Sequence, residues 1–319
     1  MDFSLVVIYL GFTLAAYSVV GNDTIQTLGT FLSSNERKKW WVLWLFAGGI
    51  LSVTLIYGYI THAGDVSYGR LEKYPMPDPF AWYYILPPII LMLLTRTGIP
   101  VSTSFMVLTF FNQKNLNDMI IKSISGYAVA FIAAIILYAI VANLLEKKFI
   151  ENPITPKQRK IWTTLQWCST GFLWSQWLIQ DFANIYVYLP RELKVWQLLF
   201  SLVIILGMLA FIIAKKGGEI QKIVKSKTNT VDIRSATLID LSYGIILFYF
   251  KELNNVPMST TWVFIGILAG REIALNFMLR KKENRKNMFK NLGMDLLKVF
   301  IGLIVSIVLV YVVKYLATL

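Results

Sequence analysis

The sequence predicts an all-α polytopic membrane protein built from two inverted-topology repeats, with broken helices and two re-entrant helical hairpins. Three observations lead to this prediction. The chain contains apolar stretches long enough to cross a bilayer, two polar motifs each occur twice, and the basic residues gather in alternate connecting segments.

The apolar stretches define the class of protein. Of 319 residues, 56% are hydrophobic and only 15% are charged, and the mean hydropathy is +0.58. Soluble domains carry about a quarter charged residues. Uncharged stretches cover residues 3–22, 40–64, 123–145, 161–180 and 195–214. Each is close to or above the roughly 20 residues that cross a bilayer as a helix. Five full membrane spans are therefore predicted, which excludes a soluble fold.

A short acidic motif occurs twice inside these apolar segments. Residues 21–26 read GNDTIQ and residues 179–184 read IQDFAN. Both copies contain an amide, an aspartate, two spacer residues and a second amide.

A second, unrelated motif also occurs twice. Residues 100–104 read PVSTS and residues 257–261 read PMSTT. The aspartates of the first motif are 158 positions apart, and the prolines of the second are 157 apart. Two motifs that recur at nearly one offset indicate a tandem duplication. We therefore predict a first repeat at residues 1–150 and a second at 151–319, which together form one transport domain.

The basic residues predict the topology. Segments 37–39, 147–160, 215–234 and 280–290 hold 20 of the 31 lysines and arginines, so the positive-inside rule places them in the cytoplasm. Both termini then lie outside. The first repeat makes three full crossings and the second starts on the opposite side, which inverts it. Re-entrant hairpins at 79–113 and 236–275 bring the PxST tips towards the midplane, where many secondary transporters place their sites.

The two aspartates predict a cation site. Asp23 and Asp181 have no basic residue within one helical turn, and a buried carboxylate costs a few kcal/mol on insertion scales. Carboxylate and neutral oxygen ligands suit hard cations, so the predicted cation is Na⁺. The alternative is a pair of aspartates that are protonated or hydrogen-bonded across helices and only join the repeats. The predicted cation ligands are Asn22, Asp23, Gln26, Gln180, Asp181 and Asn184, with Asp23 and Asp181 as the sodium-binding carboxylates.

The PxST tips predict an anion site. Proline ends one helix and is well suited to begin the next, and the free N–H groups at a helix start bind anions. Alternatively, these hydroxyls back-bond to carbonyls or allow close packing. The predicted anion ligands are Ser102, Thr103, Ser104, Ser259, Thr260 and Thr261. Arg96, just before the first tip, is placed to attract an anion from outside.

Several function classes lack their sequence signals. With one cysteine and one histidine, no disulfide framework, thiolate cluster or His-rich metal site is available. The sequence has no P-loop and no GxSxG nucleophile elbow. The net charge of +13 is explained by loop topology rather than by nucleic acid. We therefore predict a protein that is not an enzyme, that needs no cofactor besides a coupling cation, and that binds no nucleic acid.

At these motifs the chain resembles the inorganic phosphate transporter (PiT) family of cation-coupled symporters. The signature of that family is a repeated G-A-N-D-V-A-N-A-x-G, which residues 21–30 resemble with Asn22, Asp23 and Gly29 in register. Residues 180–184 resemble its second copy, and the family carries P-x-S-T-T in both halves. The chain departs from the family in having glutamine at positions 26 and 180. It also has Phe105 and Trp262 in place of a histidine, and no large central cytoplasmic domain.

The resemblance implies uptake of inorganic phosphate coupled to Na⁺, or to H⁺ in some members, by a homodimer in the lipid bilayer. It implies that the two aspartates and their amide neighbours hold the coupling cations and that the tip hydroxyls contact the anion. We expect a multi-pass protein of the bacterial inner membrane. A symporter for sulfate or another tetrahedral oxyanion, an anion channel and a transporter-derived sensor remain alternatives.

Overall fold

Every regular element in the described part of the chain is helical, which confirms the all-α prediction. The computed structural model describes residues 3–97, 99, 101–112, 116–141, 145, 147–216, 232–253, 259–278 and 285–316. The helices are α1 (Phe3–Ser34), α2 (Trp40–Thr61), a 3-10 turn (Trp82–Ile85), α3 (Leu86–Arg96), α4 (Thr103–Phe111), α5 (Leu116–Val141), α6 (Lys147–Glu151), α7 (Pro156–Tyr186), α8 (Val195–Ala214), α9 (Ile233–Leu253), α10 (Thr260–Met278) and α11 (Arg285–Leu316).

Four helices in the described ranges are long and apolar enough to cross a membrane, namely α1, α2, α8 and α11. The predicted span at 123–145 lies partly outside the described residues, and its described part includes the apolar stretch Ile124–Ile140 of α5. One of the five predicted full spans, residues 161–180 in α7, differs from this. Helix α7 is long enough but carries polar side chains such as Gln166, Thr170 and Gln176, which are buried inside the protein. A lack of charge therefore overstates how apolar a helix is when its polar residues face the interior.

The two halves of the chain contain helices in a similar order. A helix of 32 residues (α1) is followed by one of 22 (α2), and a helix of 31 residues (α7) is followed by one of 20 (α8). In both halves a pair of helices flanking a PxST tip then precedes a long helix, α5 or α11. The halves also pack against each other in a corresponding way, because α1 contacts α8 and α7 contacts α2, while α5 lies along α10 and α11 packs on α4.

Helices α5 and α10, one from each half, approach each other closely at two glycines. A Cβ at Gly266 would lie 2.9 Å from the carbonyl oxygen of Tyr127. A Cβ at Gly270 would lie 2.5 Å from the carbonyl oxygen of Phe131. Small residues four positions apart let helix backbones approach in membrane proteins. This pair therefore fixes α10, with its tip, against the first half.

The loop between α2 and α3 is ordered by its own polar contacts. One carboxylate oxygen of Asp65 accepts from the backbone N–H of Ser67 at 2.7 Å and the other from that of Gly69 at 2.8 Å. The N–H of Leu193 donates to the carbonyl of Gly64 at 3.0 Å. The Asp65 bonds therefore order the loop, and the bond from Leu193 joins it to the connection between α7 and α8.

Candidate functional site

All twelve predicted site residues lie in the protein interior, and none exposes more than 5% of its surface. Six lie on two long helices. Helix α1 continues without interruption through Asn22, Asp23 and Gln26, and α7 continues through Gln180, Asp181 and Asn184. The helical interruptions in the described residues therefore lie at the PxST tips and not at the aspartates.

The tips begin their helices with serine caps. The Ser102 hydroxyl oxygen accepts from the N–H of Phe105 at 3.2 Å, and the Ser259 hydroxyl accepts from the N–H of Trp262 at the same distance. Since α4 begins at Thr103 and α10 at Thr260, the first helical residue is a threonine in both cases. In both copies the helix therefore begins three positions after the proline, with a serine side chain as its cap. Pro100 and Pro257 themselves lie outside the described residues.

Each tip threonine donates to the aspartate of its own half. The Thr103 hydroxyl donates to an Asp23 carboxylate oxygen at 2.8 Å, and the Thr260 hydroxyl donates to an Asp181 carboxylate oxygen at 2.7 Å. The partners are 80 residues apart in the first half and 79 in the second. The duplicated motifs therefore make the same contact twice.

Further hydrogen bonds join the two pairs. The Asn184 amide donates to the Thr103 hydroxyl at 2.9 Å and to Asp181 at 2.8 Å. The Ser104 hydroxyl also donates to Asp181, at 3.4 Å. One network thus connects α1, α4, α7 and α10, and its centre is the place where both tips meet.

The carbonyl oxygen of Val101 holds the first tip in this network. It accepts from the Asn22 amide at 2.9 Å and from the Thr261 hydroxyl at 3.1 Å. The same Asn22 amide donates to Asp23 at 2.6 Å. A residue of each half therefore binds the same carbonyl, so the two tips are positioned together.

Several oxygen atoms of this site have no hydrogen-bond partner among the described residues. The amide oxygens of Asn22 and Asn184 and the hydroxyl of Thr24 are buried and unpaired. An unpaired buried polar group costs about 1–3 kcal/mol, and such groups are rare. They lie beside two carboxylates whose charges interact with each other. Neutral and anionic oxygens that need a partner form the ligand set that a hard monovalent cation requires.

The two glutamines among the predicted cation ligands, Gln26 and Gln180, have no hydrogen bond to either carboxylate among the described residues. The Gln180 amide donates to the carbonyl of Leu247 on α9 at 3.0 Å. Gln180 is therefore buried beside the network but hydrogen-bonded away from the carboxylates. The amide nitrogen of Gln26 has no hydrogen-bond acceptor in the described ranges.

The structure also identifies an arginine that the sequence interpretation missed. Arg96 is exposed at the end of α3, whereas Arg70 in the α2–α3 loop is 6% exposed and interacts electrostatically with Asp181. The local sequence gives no signal for this, because Arg70 is one basic residue in a loop that also contains acidic ones. Only the folded loop brings it to α7.

A third buried carboxylate, on α9, lies outside this network. Asp240 of α9 accepts from the hydroxyls of Thr30 on α1 and Thr170 on α7, the latter at 2.5 Å. Both carboxylate oxygens therefore have a hydroxyl donor. A cavity of about 560 Å³ lies just beyond, at the end of α1, and is lined by Ser33, Ser34, Glu36, Arg37, Ile154, Arg159, Asp232 and Ile233.

Comparisons with known proteins support the fold. No protein-family model and no curated protein matches the sequence. Among solved structures, the sodium-dependent phosphate transporter is similar, with a TM-score of 0.62 and 13% sequence identity. The match covers 99% of this chain and 100% of that one. The chain is therefore a helical membrane protein with several apolar spans, and over its whole length it has the fold of the sodium-dependent phosphate transporter.

Proposed function

We propose that this protein is a secondary active transporter that imports inorganic phosphate together with Na⁺ by alternating access. The observation that carries the proposal is the pair of equivalent threonine–aspartate contacts, Thr103 with Asp23 and Thr260 with Asp181. Each joins an expected anion-binding tip to an expected cation-binding carboxylate. A contact of this kind lets the occupancy of one site affect the other.

The cations would bind at the two carboxylates. Asp23 and Asp181 are buried, and their like charges lie within electrostatic range of each other. Na⁺ neutralises this charge, and the unpaired amide oxygens of Asn22 and Asn184 offer it neutral ligands. Gln26 and Gln180 would complete the surroundings of the site rather than supply its main ligands.

The anion would bind between the tips. The oxygens of Ser102 and Ser259 accept from their helix N–H groups, so their hydroxyl hydrogens are available to an oxyanion. The first N–H groups of α4 and α10 add partial positive charge. Ser104 and Thr261 are buried in the same cluster. Cation binding makes the potential here less negative, which favours the anion.

Transport would follow from the duplication. In this proposal, residues 1–150 and 151–319 are inverted repeats whose re-entrant hairpins, 79–113 and 236–275, meet near the midplane. The loaded carrier reorients as one bundle moves against the other, and coupling is the difference in affinity between the two states. The proposal also includes a homodimer in a bacterial inner membrane with both termini outside.

The test is uptake of radiolabelled phosphate into proteoliposomes under an Na⁺ gradient, a proton gradient or neither. Accumulation driven by Na⁺, and blocked by unlabelled phosphate but not by sulfate, is the expected result. Accumulation driven by protons would change the coupling ion. Accumulation of sulfate alone would change the substrate to another tetrahedral oxyanion. Passive flux without accumulation would indicate an anion channel, and no flux of either anion would indicate a sensor.

A further inference from the structure

Arg70 is held at the edge of the site by an ordered loop. The carboxylate of Asp65 fixes the backbone on the N-terminal side through Ser67 and Gly69, and the N–H of Arg70 donates to the carbonyl of Ser67 at 3.2 Å. Gly69 has a φ of +75°, a left-handed conformation that glycine adopts without strain. The backbone that carries Arg70 is therefore ordered.

One nitrogen of the Arg70 guanidinium has no acceptor among the described residues. Arg70 is 6% exposed, and this Nη1 is buried. Arg191, which follows α7, shows the usual outcome. Its guanidinium donates to the carbonyls of Tyr74 at 2.6 Å, Val187 at 3.1 Å and Leu189 at 2.8 Å. Arg191 therefore joins the loops structurally, whereas Nη1 of Arg70 has no acceptor in the part of the chain that the structure describes.

The charge of Arg70 acts on the part of the network where both tips meet. Asp181 interacts electrostatically with Arg70 and accepts hydrogen bonds from Ser104 of the first tip and Thr260 of the second. Burial lowers the pKa of Arg70 to about 10, and the charge of Asp181 opposes this shift. The guanidinium is therefore protonated at neutral pH.

We propose that Arg70 is the cationic residue that recognises the anion, binding it from the α2–α3 loop while the tip hydroxyls and helix N–H groups bind it from within. This inference rests on the proposed function and adds the charged group that the tips lack. A guanidinium binds two oxygens of a tetrahedral oxyanion at once. The anion supplies the acceptor that Nη1 lacks, and its negative charge compensates a buried cation.

Loss of this charge should affect the binding of phosphate and the binding of Na⁺ differently. In Arg70→Gln, phosphate binding should weaken at least about tenfold, as expected for loss of a charge-assisted hydrogen bond. Na⁺ binding without phosphate should stay unchanged or become tighter, because a positive charge near Asp181 has been removed. A residue with a purely structural role would weaken both. Arg70→Lys keeps the charge but not the planar fork, so it should recover part of the phosphate affinity.

The experiment uses the purified full-length protein and its variants Arg70→Gln, Arg70→Lys and Lys73→Gln. Lys73 lies on the same loop and is exposed, so its substitution is a matched loss of charge outside the site. Thermal stability is measured against Na⁺ alone, and then against inorganic phosphate or sulfate at saturating Na⁺. The expected result is a loss of anion response confined to the Arg70 variants, larger for glutamine than for lysine.

Three results would overturn the proposal, and they are distinguishable. Wild-type affinity for the anion in Arg70→Gln would remove Arg70 from the site while leaving the transport function intact. Equal weakening of the Na⁺ and anion responses in both Arg70 variants would make the residue structural. A wild-type protein that binds neither phosphate nor sulfate would refute the proposed function itself, and the role of Arg70 with it.

Discussion

Replacing Asp23 by asparagine separates the charge of the predicted cation site from its shape. The carboxylate accepts from the Asn22 amide at 2.6 Å and from the Thr103 hydroxyl at 2.8 Å. Asparagine retains one acceptor, so about one charge-assisted hydrogen bond is lost, worth about 1.5–3 kcal/mol. The substitution also removes a buried charge that interacts unfavourably with Asp181. Because the two effects oppose each other, we expect the stability without Na⁺ to change by less than about 2 kcal/mol.

The response to Na⁺ should change much more. A ligand that binds only the folded protein stabilises it by about 2.7 kcal/mol at one hundred times its Kd. For a chain of this size, this is an increase in apparent Tm of about 4 °C. The wild type should show that increase when choline is replaced by saturating Na⁺ at constant ionic strength. Asp23→Asn should lose most of it, because a neutral amide binds the cation far less strongly than a carboxylate does.

Asp240→Asn is the matched control for this experiment. Asp240 is equally buried and accepts two hydroxyl donors, from Thr30 and Thr170, but it lies outside the network between the tips. Its substitution should leave the Na⁺ response as in the wild type. A full Na⁺ response in Asp23→Asn would refute the assignment of the cation to this carboxylate. An equal loss in both variants would show that the response is not specific to the site.

Three other substitutions test the network and the packing that supports it. Thr103→Val removes the hydroxyl that joins the two halves and should raise the Na⁺ concentration for half-maximal uptake by roughly 10- to 100-fold. Thr109→Val is the control, because the Thr109 hydroxyl donates within its own helix, and it should leave that Na⁺ concentration nearly unchanged. Gly270→Leu forces side-chain atoms into the backbone of α5 and should lower stability by about 1–3 kcal/mol or more, whereas Gly207→Ala, with open space around it, should not. Arg191→Gln removes bonds to loop carbonyls and should cost about 3 kcal/mol, measured as a lower apparent Tm with wild-type Kd values for both ligands.

The sequence predicted the parts of the site that repeat. A carboxylate within an apolar helix is energetically costly, so its presence in the sequence indicates a special role. Its recurrence at one offset strengthens that indication. Asp23, Asp181 and the two tips were therefore found together, and the structure brings all four into one buried network. The serine caps follow from the same local chemistry, because a hydroxyl before a helix start has a nearby N–H to accept from.

The parts that the sequence did not predict depend on contacts between distant segments. Arg96 was favoured because it lies next to the first tip along the chain, whereas Arg70, which interacts with Asp181, reaches the site only through the folded α2–α3 loop. The contact between α5 and α10 depends on Gly266 and Gly270, whose spacing is common in membrane helices and does not specify a partner. Similarly, the polarity of α7 is explained only by its position inside the bundle.

The two equivalent pairs differ in how well the protein compensates their charge, and this difference implies a binding order. Asp181 receives three side-chain hydrogen bonds, from Thr260, Ser104 and Asn184, and the opposite charge of Arg70. Asp23 receives two, from Asn22 and Thr103, and no opposite charge acts on it in the described part of the chain. The less compensated carboxylate gains more from a cation, so we expect the first Na⁺ to bind at Asp23. That Na⁺ offsets the repulsion between the carboxylates and leaves Arg70 free for the anion. Coupling would then arise because the anion enters a site whose negative charge has already been reduced, and Na⁺ should raise the thermal stability before any phosphate is added. If phosphate instead stabilised the protein in the absence of Na⁺, this order would be wrong.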